Sequence, residues 1–424
     1  MAVTLEHPES AGAAPPSEQL SSRAAAEAYV GGVCFKLGPP ALIGAEIEWL
    51  TVYGEHSAPG DPRPGSAALA AALGPYAPRS IAVDSPELSL PGGSRVTMEP
   101  GGQIELSSAP FPSAAELCER LAEDTRLLRD LLGARSIRMI SASADTARPP
   151  ERVLPLPRYR AMEKSFDGIG PFGRLMMCNT AATQVSVDAG ADAAQVAARW
   201  RAAHVFGPAL VAAFACSPVL FGAPAGEWAS QRMRTWLRLD NARARPPAED
   251  WDDPVSAYAR WALDVPLLCV RRAESVADWT PPPCATFADW LAGALDDEVG
   301  RRPAVADLDY HLTTLFPPIR ASGHLEIRYL DAQPADVWAV PIHAVDALLS
   351  SPRVAAEATA LAAPLTGRWV EAARHGLADP QIRAIASDLL ALAAANAPTD
   401  SARTELDAAA NRCLAGRTPT GEPT

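Results

Sequence analysis

Two carboxylates stand one residue apart in GAEIEWL, residues 44–50, a run that is otherwise mostly apolar. Side chains alternate across a β-strand, so Glu46 and Glu48 share one face while Ile47 points to the other. Burying such a pair is costly unless a cation compensates it, because like charges repel and burial disfavours ionised groups. The spacing therefore predicts either a solvated sheet face or a pair of oxygen ligands for a cation.

Three further segments repeat this pattern, with apolar residues on the opposite face of each. The polar faces of GGQIEL, TQVSVD and HLEIRYLD carry Gln103 and Glu105, then Gln184, Ser186 and Asp188, and then His324, Glu326 and Arg328. Glu99 precedes the Pro-Gly-Gly turn that leads into the first of these segments. A single E-x-E usually marks a solvated face or a cross-strand ion pair, for example Glu105 with Arg328. Four such segments in one sheet favour a shared polar floor, the name we give to this face.

Clustered carboxylates are the oxygen ligands that Mg²⁺ prefers, and Mg²⁺ in proteins is commonly shared with substrate phosphates. An arginine on the same face, Arg328, matches a phosphate oxygen with its rigid fork. The residues therefore predict metal ligands beneath a nucleotide phosphate tail. The common phosphate loops GxxxxGK[ST] and GxGxxG in a strand–helix context are absent from the sequence, and so are GxSxG and HExxH. His311 and His324 are interpreted as structural or supporting residues rather than nucleophilic bases.

The polar segments must be strands of one sheet, and the stretches between them predict the helices that surround it. Helices are predicted near 22–33, at 67–73, at 113–132 after a capping Ser113, and at 193–220 with a break at Gly207-Pro208. Strands are predicted at 44–50, on both sides of the turn within 94–108, at the end of 175–188 and at 322–331. Strands with one polar face, separated by long helical stretches, predict an α+β fold with an antiparallel sheet.

A single catalytic domain is expected over residues 23–415, with a helical C-terminal part from about 337 to 415. Residues 1–22, rich in Ala, Pro, Ser and Glu, are expected to be disordered, and so is the tail 416–424.

Composition narrows the class of partner. A net charge of −13 argues against nucleic acid or an anionic membrane, since both attract basic surfaces. The seven cysteines are scattered without a CxxC pair, which is typical of a reducing cytoplasm rather than of a zinc site or a disulfide framework. Neither a signal peptide nor a membrane span is predicted. A cytoplasmic protein with small-molecule substrates is expected, and a monomer is the starting hypothesis for its assembly.

Five segments, in this order, resemble the plant-type and actinobacterial glutamate–cysteine ligases, which are carboxylate–amine ligases with a glutamine-synthetase-like fold. They are GAEIEWL, EPGGQIELSS, MMCNTAATQVSVD, SQRMRTWLRLDNAR and HLTTLFPPIRASGHLEIRYLD. The resemblance implies a curved antiparallel sheet surrounded by helices. It also implies ATP-dependent ligation, with Mg²⁺, of the γ-carboxylate of glutamate to the amine of cysteine through a γ-glutamyl phosphate. Within the family, the sequence is most similar to the ligase that supplies γ-glutamylcysteine for ergothioneine synthesis.

The resemblance further implies roles for residues of the polar floor. The implied Mg²⁺ ligands are Glu46, Glu48, Glu99, Glu105 and Glu326, with Gln184 where some branches of the family have a histidine. Arg328 is expected to hold the γ-phosphate and to act in catalysis with Glu48 and Glu105. Glu46, Gln184 and Arg328 are expected to contact the nucleotide.

Other positions are implied to bind the amino-acid substrates. Arg232 is expected to hold the α-carboxylate of glutamate, with Arg234 as the alternative register. Thr180, Trp236 and Arg243 are expected to line the substrate pocket. Thr313, Thr314 and Arg320 lie in a matching segment without assigned roles.

Alternatives remain open at this point. Trp236 is equally typical of a core aromatic, Thr180 of strand filling, and Arg243 of a surface pair with Asp240 or Asp250. For the whole chain, the alternatives are a related ligase for another amine or acid, a non-catalytic nucleotide-binding relative, and a merely solvated sheet face.

Overall fold

The computed structural model describes residues 20, 22–39, 42–55, 58–245, 251–272 and 278–422. The lead-in 1–22, expected to be disordered, lies outside these residues except for Leu20 and Ser22, and so do the last two residues of the tail. The described part of the tail contains a turn, in which the backbone amide of Thr418 donates to the carbonyl of Glu422.

One seven-stranded sheet runs through the described residues. Its strands are β1 (Ile43–Val52), β2 (Arg95–Met98), β3 (Ile104–Ser107), β4 (Arg138–Ile140), β5 (Ala182–Val187), β6 (Ile319–Ala321) and β7 (Leu325–Asp331). The order is β2-β3-β1-β5-β7-β6, and β4 pairs with β1 off this path. All pairings between these strands are antiparallel, which confirms the predicted antiparallel sheet. The four polar segments form β1, β3, β5 and β7.

Helices surround the sheet, as expected for an α+β fold. The helices up to the middle of the chain are α1 (Arg23–Cys34), α2 (Ser66–Leu73), α3 (Ala114–Gly133), α4 (Pro157–Asp167), α5 (Phe172–Asn179), α6 (Ala193–Phe214), α7 (Gln231–Leu239) and α8 (Asn241–Ala244). The later helices are α9 (Pro254–Asp264), α10 (Phe287–Ala292), α11 (Asp296–Val299), α12 (Val305–Leu312), α13 (Val340–Leu348), α14 (Pro352–Ala362), α15 (Trp369–His375), α16 (Pro380–Ala395) and α17 (Asp400–Leu414). Within the described residues, no helix is long and apolar enough to cross a membrane.

The apolar face of the sheet forms part of the main core. Ile47, Ile104, Val185 and Ile327 are each at most 3% exposed and belong to one cluster of buried side chains. Helices α3, α13 and α6 pack against β1, β5 and β7 respectively. Removing this apolar surface from water stabilises the fold and fixes which face of each strand points away from the core. The polar floor is therefore held in place by the burial of its opposite face.

Helix α6 continues through Pro208 to Phe214, so the predicted break at Gly207-Pro208 is wrong. A proline removes one helical hydrogen bond and crowds the preceding turn, and it normally keeps the residue before it out of the helical region. Gly207 has no Cβ, which relieves that crowding. All residues of α6 from Ala202 to Phe214 are buried, so packing offsets the lost hydrogen bond.

Substitution of Gly207 tests this packing. A Cβ at Gly207 would lie 2.1 Å from the indole of the buried Trp369. We expect Gly207→Ala to lower the free energy of unfolding by about 1–3 kcal/mol, because the core must shift to admit it. The measurement is chemical denaturation followed by circular dichroism. The matched control is Gly32→Ala in α1, where nothing lies within 4 Å and the change should stabilise by about 0.5–1 kcal/mol. Equal effects at both positions would contradict the account of α6.

Candidate active site

The sheet register brings the polar residues of four strands onto one face. Glu48 lies opposite Glu105, and Glu46 lies opposite Gln184. Ser186 lies opposite Glu326 in the next pair of strands. Residues directly opposite in an antiparallel ladder share a face, and like charges in such a pair are destabilising. The polar floor thus crosses the centre of the sheet, and its acidic pairs oppose folding unless other groups neutralise them.

The floor is buried rather than solvated. Gln184, Glu326 and Glu105 are 4%, 5% and 7% exposed, and Glu46 and Glu48 are partly buried. Strands β3 and β7 are separated by β1 and β5, so Glu105 and Arg328 do not form the cross-strand pair considered from the sequence. A solvated sheet face therefore does not describe these residues.

A tight turn brings Glu99 to the same cluster. Gly102 has a φ of +86°, which favours glycine, and a Cβ at Gly101 would lie 2.4 Å from the backbone of Cys178. The hydroxyl of Thr51 donates to the carbonyl of Gly102 at 2.7 Å. The two glycines let the turn lie against the chain at Cys178, and β3 leaves this turn with Glu105 on the polar floor.

Burial raises the pKa values of four carboxyl groups, and repulsion from neighbouring glutamates adds to the shift in three of them. Burial raises the pKa of Glu48 to about 8, and the charge of Glu99 adds to the shift. Burial, followed by the charges of Glu46, Glu99 and Glu48, holds the pKa of Glu105 well above its usual range. Burial also raises the pKa values of Glu46 and Glu99. Without a bound cation, these groups resist ionisation.

Glu326 is the exception among the acidic residues of the floor. Burial acts to raise its pKa, but Arg320, His324 and Arg328 together hold that pKa well below its usual range. Arg320 Nε and Arg328 Nη1 each donate to Glu326 Oε2 at 2.8 Å, and Ser322 donates to Oε1 at 2.8 Å. The floor therefore has one ionised, paired end and one end crowded with acidic groups.

At the crowded end, the amide of Gln184 lies between two glutamates. Its Nε2 donates to Glu46 Oε2 at 2.9 Å and lies 3.3 Å from Glu48 Oε1. Its Oε1 is buried and has no hydrogen-bond partner among the described residues. The backbone amide of Ala182 also donates to Glu48, and the hydroxyl of Thr97 donates to Glu105. The donors around these carboxylates are thus neutral, and a cation in their place would offset more of the negative charge.

This donor set fits a hard divalent cation in its chemistry. All the candidate ligands offer oxygen, and Gln184 has an unpaired oxygen to add. In the described part of the chain, however, no three His, Cys, Asp or Glu side chains are grouped closely enough to hold a metal ion as they stand. Side chains of the floor, beginning with the Gln184 amide, would therefore rearrange to bind one.

Helix α7 brings Arg232 and Trp236 to the arginine end of the floor. The guanidinium of Arg232 is buried, and its Nη2 donates to the carbonyl of Arg328 at 2.7 Å. The ring of Trp236 lies 5.7 Å from the guanidinium carbon of Arg232 and 5.4 Å from that of Arg328. Arg328 Nε and Trp236 Nε1 are buried without partners among the residues described. Two cations and an indole, with donors still free, are suited to anionic ligands.

Three residues expected in the substrate pocket instead make contacts within the protein. Arg234 donates to the carbonyls of Pro224 and Ala225 and lies over the rings of Phe172 and Trp228, so the alternative register is not supported. Arg243 is buried, and its guanidinium donates to Asp240 and to the carbonyls of Thr314 and Pro266. Its pair with Asp240 was considered from the sequence, but as a surface pair.

Thr180 is the third of these residues. Its hydroxyl donates to the carbonyl of Met176 at 2.9 Å, and its own carbonyl accepts from Gln103 Nε2 at 2.8 Å. It therefore joins α5 to the strand that carries Glu105. Asp188 lies just beyond β5 and accepts from the backbone of Leu42, so it does not extend the floor.

Sequence reasoning left Arg320 without a role and missed Arg158 and Asp331. Arg320 lies opposite Glu326 in the β6–β7 hairpin. The sequence signal for this pair is the segment IRASGHLEI, in which Arg320 and Glu326 stand next to the first and last isoleucine on either side of a turn. Arg158 donates to the hydroxyl and carbonyl of Thr313, and its charge lowers the pKa of Glu99 against the larger effect of burial. It comes from a segment with no strand pattern, so no local signal indicated it.

Comparison with known proteins identifies the family to which these segments belong. A family model described as glutamate–cysteine ligase family 2 matches residues 42–419. The glutamate–cysteine ligase EgtA of Mycolicibacterium smegmatis is 39% identical over 394 residues, covering 92% of this chain and 88% of that protein. The chloroplastic glutamate–cysteine ligase of Medicago truncatula is 32% identical over 247 residues, which are 57% of this chain and 48% of that protein.

A solved structure shares the fold. The crystal structure of glutamate–cysteine ligase from Francisella tularensis in complex with AMP superposes with a TM-score of 0.52 at 13% identity, covering 91% of this chain and 84% of that one. The α+β fold and the family resemblance expected from five short segments are both confirmed. Because the family model spans all four polar strands and the helices that cover them, the chain belongs to glutamate–cysteine ligase family 2.

Proposed function

We propose that this chain is an ATP-dependent ligase that joins the γ-carboxylate of glutamate to the amine of cysteine through a γ-glutamyl phosphate. The observation that carries the proposal is the buried polar floor, on which five glutamates and Arg328 lie together. The relatives named as glutamate–cysteine ligases support the choice of substrates. We also propose that the enzyme works in the cytoplasm and supplies its product for ergothioneine synthesis.

The first chemical difficulty of such a reaction is charge. A carboxylate must attack the γ-phosphorus of ATP, and both reactants are anionic, so the site has to stabilise negative charge on the transferring phosphoryl group. Arg328 is fixed in direction by Glu326, while its Nε is buried and unpaired in the described structure. A donor held in place before the reaction stabilises the transition state without reorganisation. We therefore assign Arg328 to the γ-phosphate.

The carboxylates from both ends of the floor are assigned to Mg²⁺. Glu46, Glu48, Glu99, Glu105 and Glu326, with the Oε1 of Gln184, are the residues that would hold it. When bound, Mg²⁺ neutralises phosphate charge and so permits the approach of the carboxylate. The raised pKa values of Glu46, Glu48, Glu99 and Glu105 support this assignment, because a nearby cation favours the ionised form that burial, and for three of them the charge of neighbouring glutamates, disfavours.

Arg232 is assigned to the α-carboxylate of glutamate. Its hydrogen bond to the carbonyl of Arg328 ties it directly to the proposed phosphate-binding residue. A γ-glutamyl phosphate carries one anionic group at each end, and the two arginines offer one cation for each. Trp236 lies against both guanidinium groups and keeps their spacing.

The substrates can be tested directly with the purified chain. With ATP, Mg²⁺, glutamate and cysteine, we expect release of phosphate and ADP matched by γ-glutamylcysteine, measured by a coupled phosphate assay and mass spectrometry. Replacing cysteine with alanine, or omitting the amine, should give only background release. If another amine supports faster release than cysteine, the chain is a related ligase with a different specificity. Nucleotide binding without any turnover would contradict catalysis altogether.

Glu48→Gln separates the metal role from a structural one. We expect kcat/KM to fall by more than about 100-fold, since even partners that only support metal ligands contribute about 10–100-fold. The folded state holds the Glu48 proton more tightly than the unfolded chain, so ionisation between the usual pKa of 4.5 and the raised value of about 8 costs stability. The metal-free variant should therefore be more stable than the parent, by a margin that grows as the pH rises through this window. Thermal unfolding at several pH values measures that margin.

The control for Glu48→Gln is Glu55→Gln, which removes an exposed carboxylate just beyond the same strand. It should leave both activity and the pH dependence of unfolding unchanged. Full activity in Glu48→Gln would refute the ligand role of Glu48.

Arg328→Lys tests the phosphate clamp. A lysine keeps the charge but loses the planar fork, so we expect kcat to fall by about 100-fold or more, as with loss of a preorganised donor. Steady-state kinetics with saturating ATP measures this change. Arg201→Lys, on an exposed position of α6, is the matched control and should behave like the parent. A near-normal rate for Arg328→Lys would show that the guanidinium is not needed in the transition state.

A further inference from the structure

Asp331, the last residue of β7, joins two parts of the chain that are distant in sequence. Its carboxylate is 2% exposed and accepts three hydrogen bonds. Cys216 N and Ser217 Oγ donate to Oδ2 at 3.0 and 2.7 Å, and Ser230 Oγ donates to Oδ1 at 2.8 Å. The carboxylate therefore fixes the segment that follows α6 and the residue that precedes α7.

Both serines in turn hold the first turn of α7. Ser230 caps the helix, and its Oγ accepts from the backbone amide of Met233 at 3.0 Å. Ser217 Oγ accepts from the backbone amide of Arg232 at 3.2 Å. A hydroxyl has one donor and two acceptor sites, so donation to Asp331 leaves each oxygen free to accept from the helix. Asp331 thus orients the two hydroxyls that position the start of α7.

The same carboxylate faces the guanidinium of Arg232. Asp331 Oδ1 lies 3.8 Å from Arg232 Nη1, and both side chains are almost completely buried. Burial lowers the pKa of Arg232, while the charge of Asp331 and then that of Glu48 oppose the shift. A buried guanidinium without a nearby counter-charge is strongly destabilised. Asp331 therefore both compensates the charge of Arg232 and restrains its helix.

Asp331 also shares a strand with the proposed phosphate-binding residue. Arg328 stands three residues earlier on β7, and its carbonyl accepts from Arg232 Nη2 at 2.7 Å. Two connections, one through Arg328 and one through Asp331, thus attach Arg232 to the same strand. Together they fix the distance between the two arginines.

We infer that Asp331 is a positioning residue for glutamate, which holds Arg232 where it takes the α-carboxylate while Arg328 takes the γ-phosphate. The inference rests on the proposed function and adds a residue that contacts neither substrate. A positioning role differs from a purely structural one in its effect on substrate binding. A structural carboxylate would support folding without changing the affinity for glutamate relative to that for ATP. Loss of Asp331 should therefore weaken the binding of glutamate more than that of ATP.

The test is Asp331→Asn in the full chain. We expect the KM for glutamate to rise by about tenfold or more, with kcat and the KM for ATP within about twofold of the parent, since loss of a substrate contact made equally in ground and transition states appears in KM. Titration calorimetry with glutamate, without ATP, should show the same loss of affinity. The pattern separates substrate positioning from a general loss of folded enzyme, which would lower kcat alone.

The matched control is Asp124→Asn. Asp124 is fully buried on α3 and accepts from the backbone amides of Gly92 and Ser94 at 2.7 and 2.9 Å. Its loss should lower the melting temperature without changing the KM for glutamate. If Asp331→Asn behaves like this control, Asp331 is only structural and the inference is refuted.

A second variant keeps the test decisive if Asp331→Asn does not fold. Ser230→Ala retains the charge of Asp331 and removes one of its three donors, and we expect the KM for glutamate to rise by about threefold or more, because one hydrogen bond to the carboxylate is lost while two remain. An unchanged KM in Ser230→Ala would then refute the inference.

The proposed function fails separately, if the parent chain binds glutamate but forms no product. In that case, calorimetry on the variants still decides the role of Asp331.

Discussion

Repulsion among buried carboxylates is the constraint on which the rest of the site depends. Glu48 and Glu105 lie opposite each other across two central strands, and Glu46 and Glu99 add to the negative charge around them. Such a group is stable only because the opposite face of the sheet is buried in the core and because donors from Gln184, Ala182 and Thr97 meet the oxygens. The fold thus holds together groups that would otherwise separate, and a ligand that relieves the repulsion gains binding free energy from it.

The arginines at the other end of the floor show a different balance. Glu326 is ionised because Arg320 and Arg328 both reach the same oxygen. Arg328 is in turn connected through its backbone to Arg232, and Arg232 to Asp331. Each buried cation at this end of the site therefore has an acidic partner nearby, Glu326 for Arg328 and Asp331 for Arg232. The two ends together give a surface that is acidic where a cation belongs and basic where anions belong.

Local patterns were sufficient to predict the polar faces of the strands. The alternation of side chains along a strand has a period of two and does not depend on which strands are neighbours. It therefore predicts the polar face on which Glu46, Glu48, Glu105 and Glu326 lie without knowledge of the strand order. The capped start of α3 at Ser113 followed from equally local chemistry, and the structure confirms it. Short segments likewise indicate membership of the family, because each segment contains a strand or helix that carries polar site residues.

The remaining features depend on contacts between distant parts of the chain. Arg234 and Arg243 have the same residue type as Arg232, and only the position of their carbonyl partners shows that they stabilise loops. The helix continues through Pro208 in a part of α6 that is fully buried, where Gly207 lies against Trp369 from far along the chain. Arg158 and Asp331 act through partners more than 100 residues away, so no window of sequence contains the relevant pair.

The central place of β1 limits the kinds of change that this sequence can accept. It pairs with β3 on one side and with β5 on the other, so its register is fixed twice. Inserting or deleting one residue within β1 would turn Glu46 and Glu48 toward the hydrophobic interior and expose Ile47 on the charged side. An amino-acid replacement along β1 alters one side chain, whereas a change in its length exchanges the two faces of the strand at once.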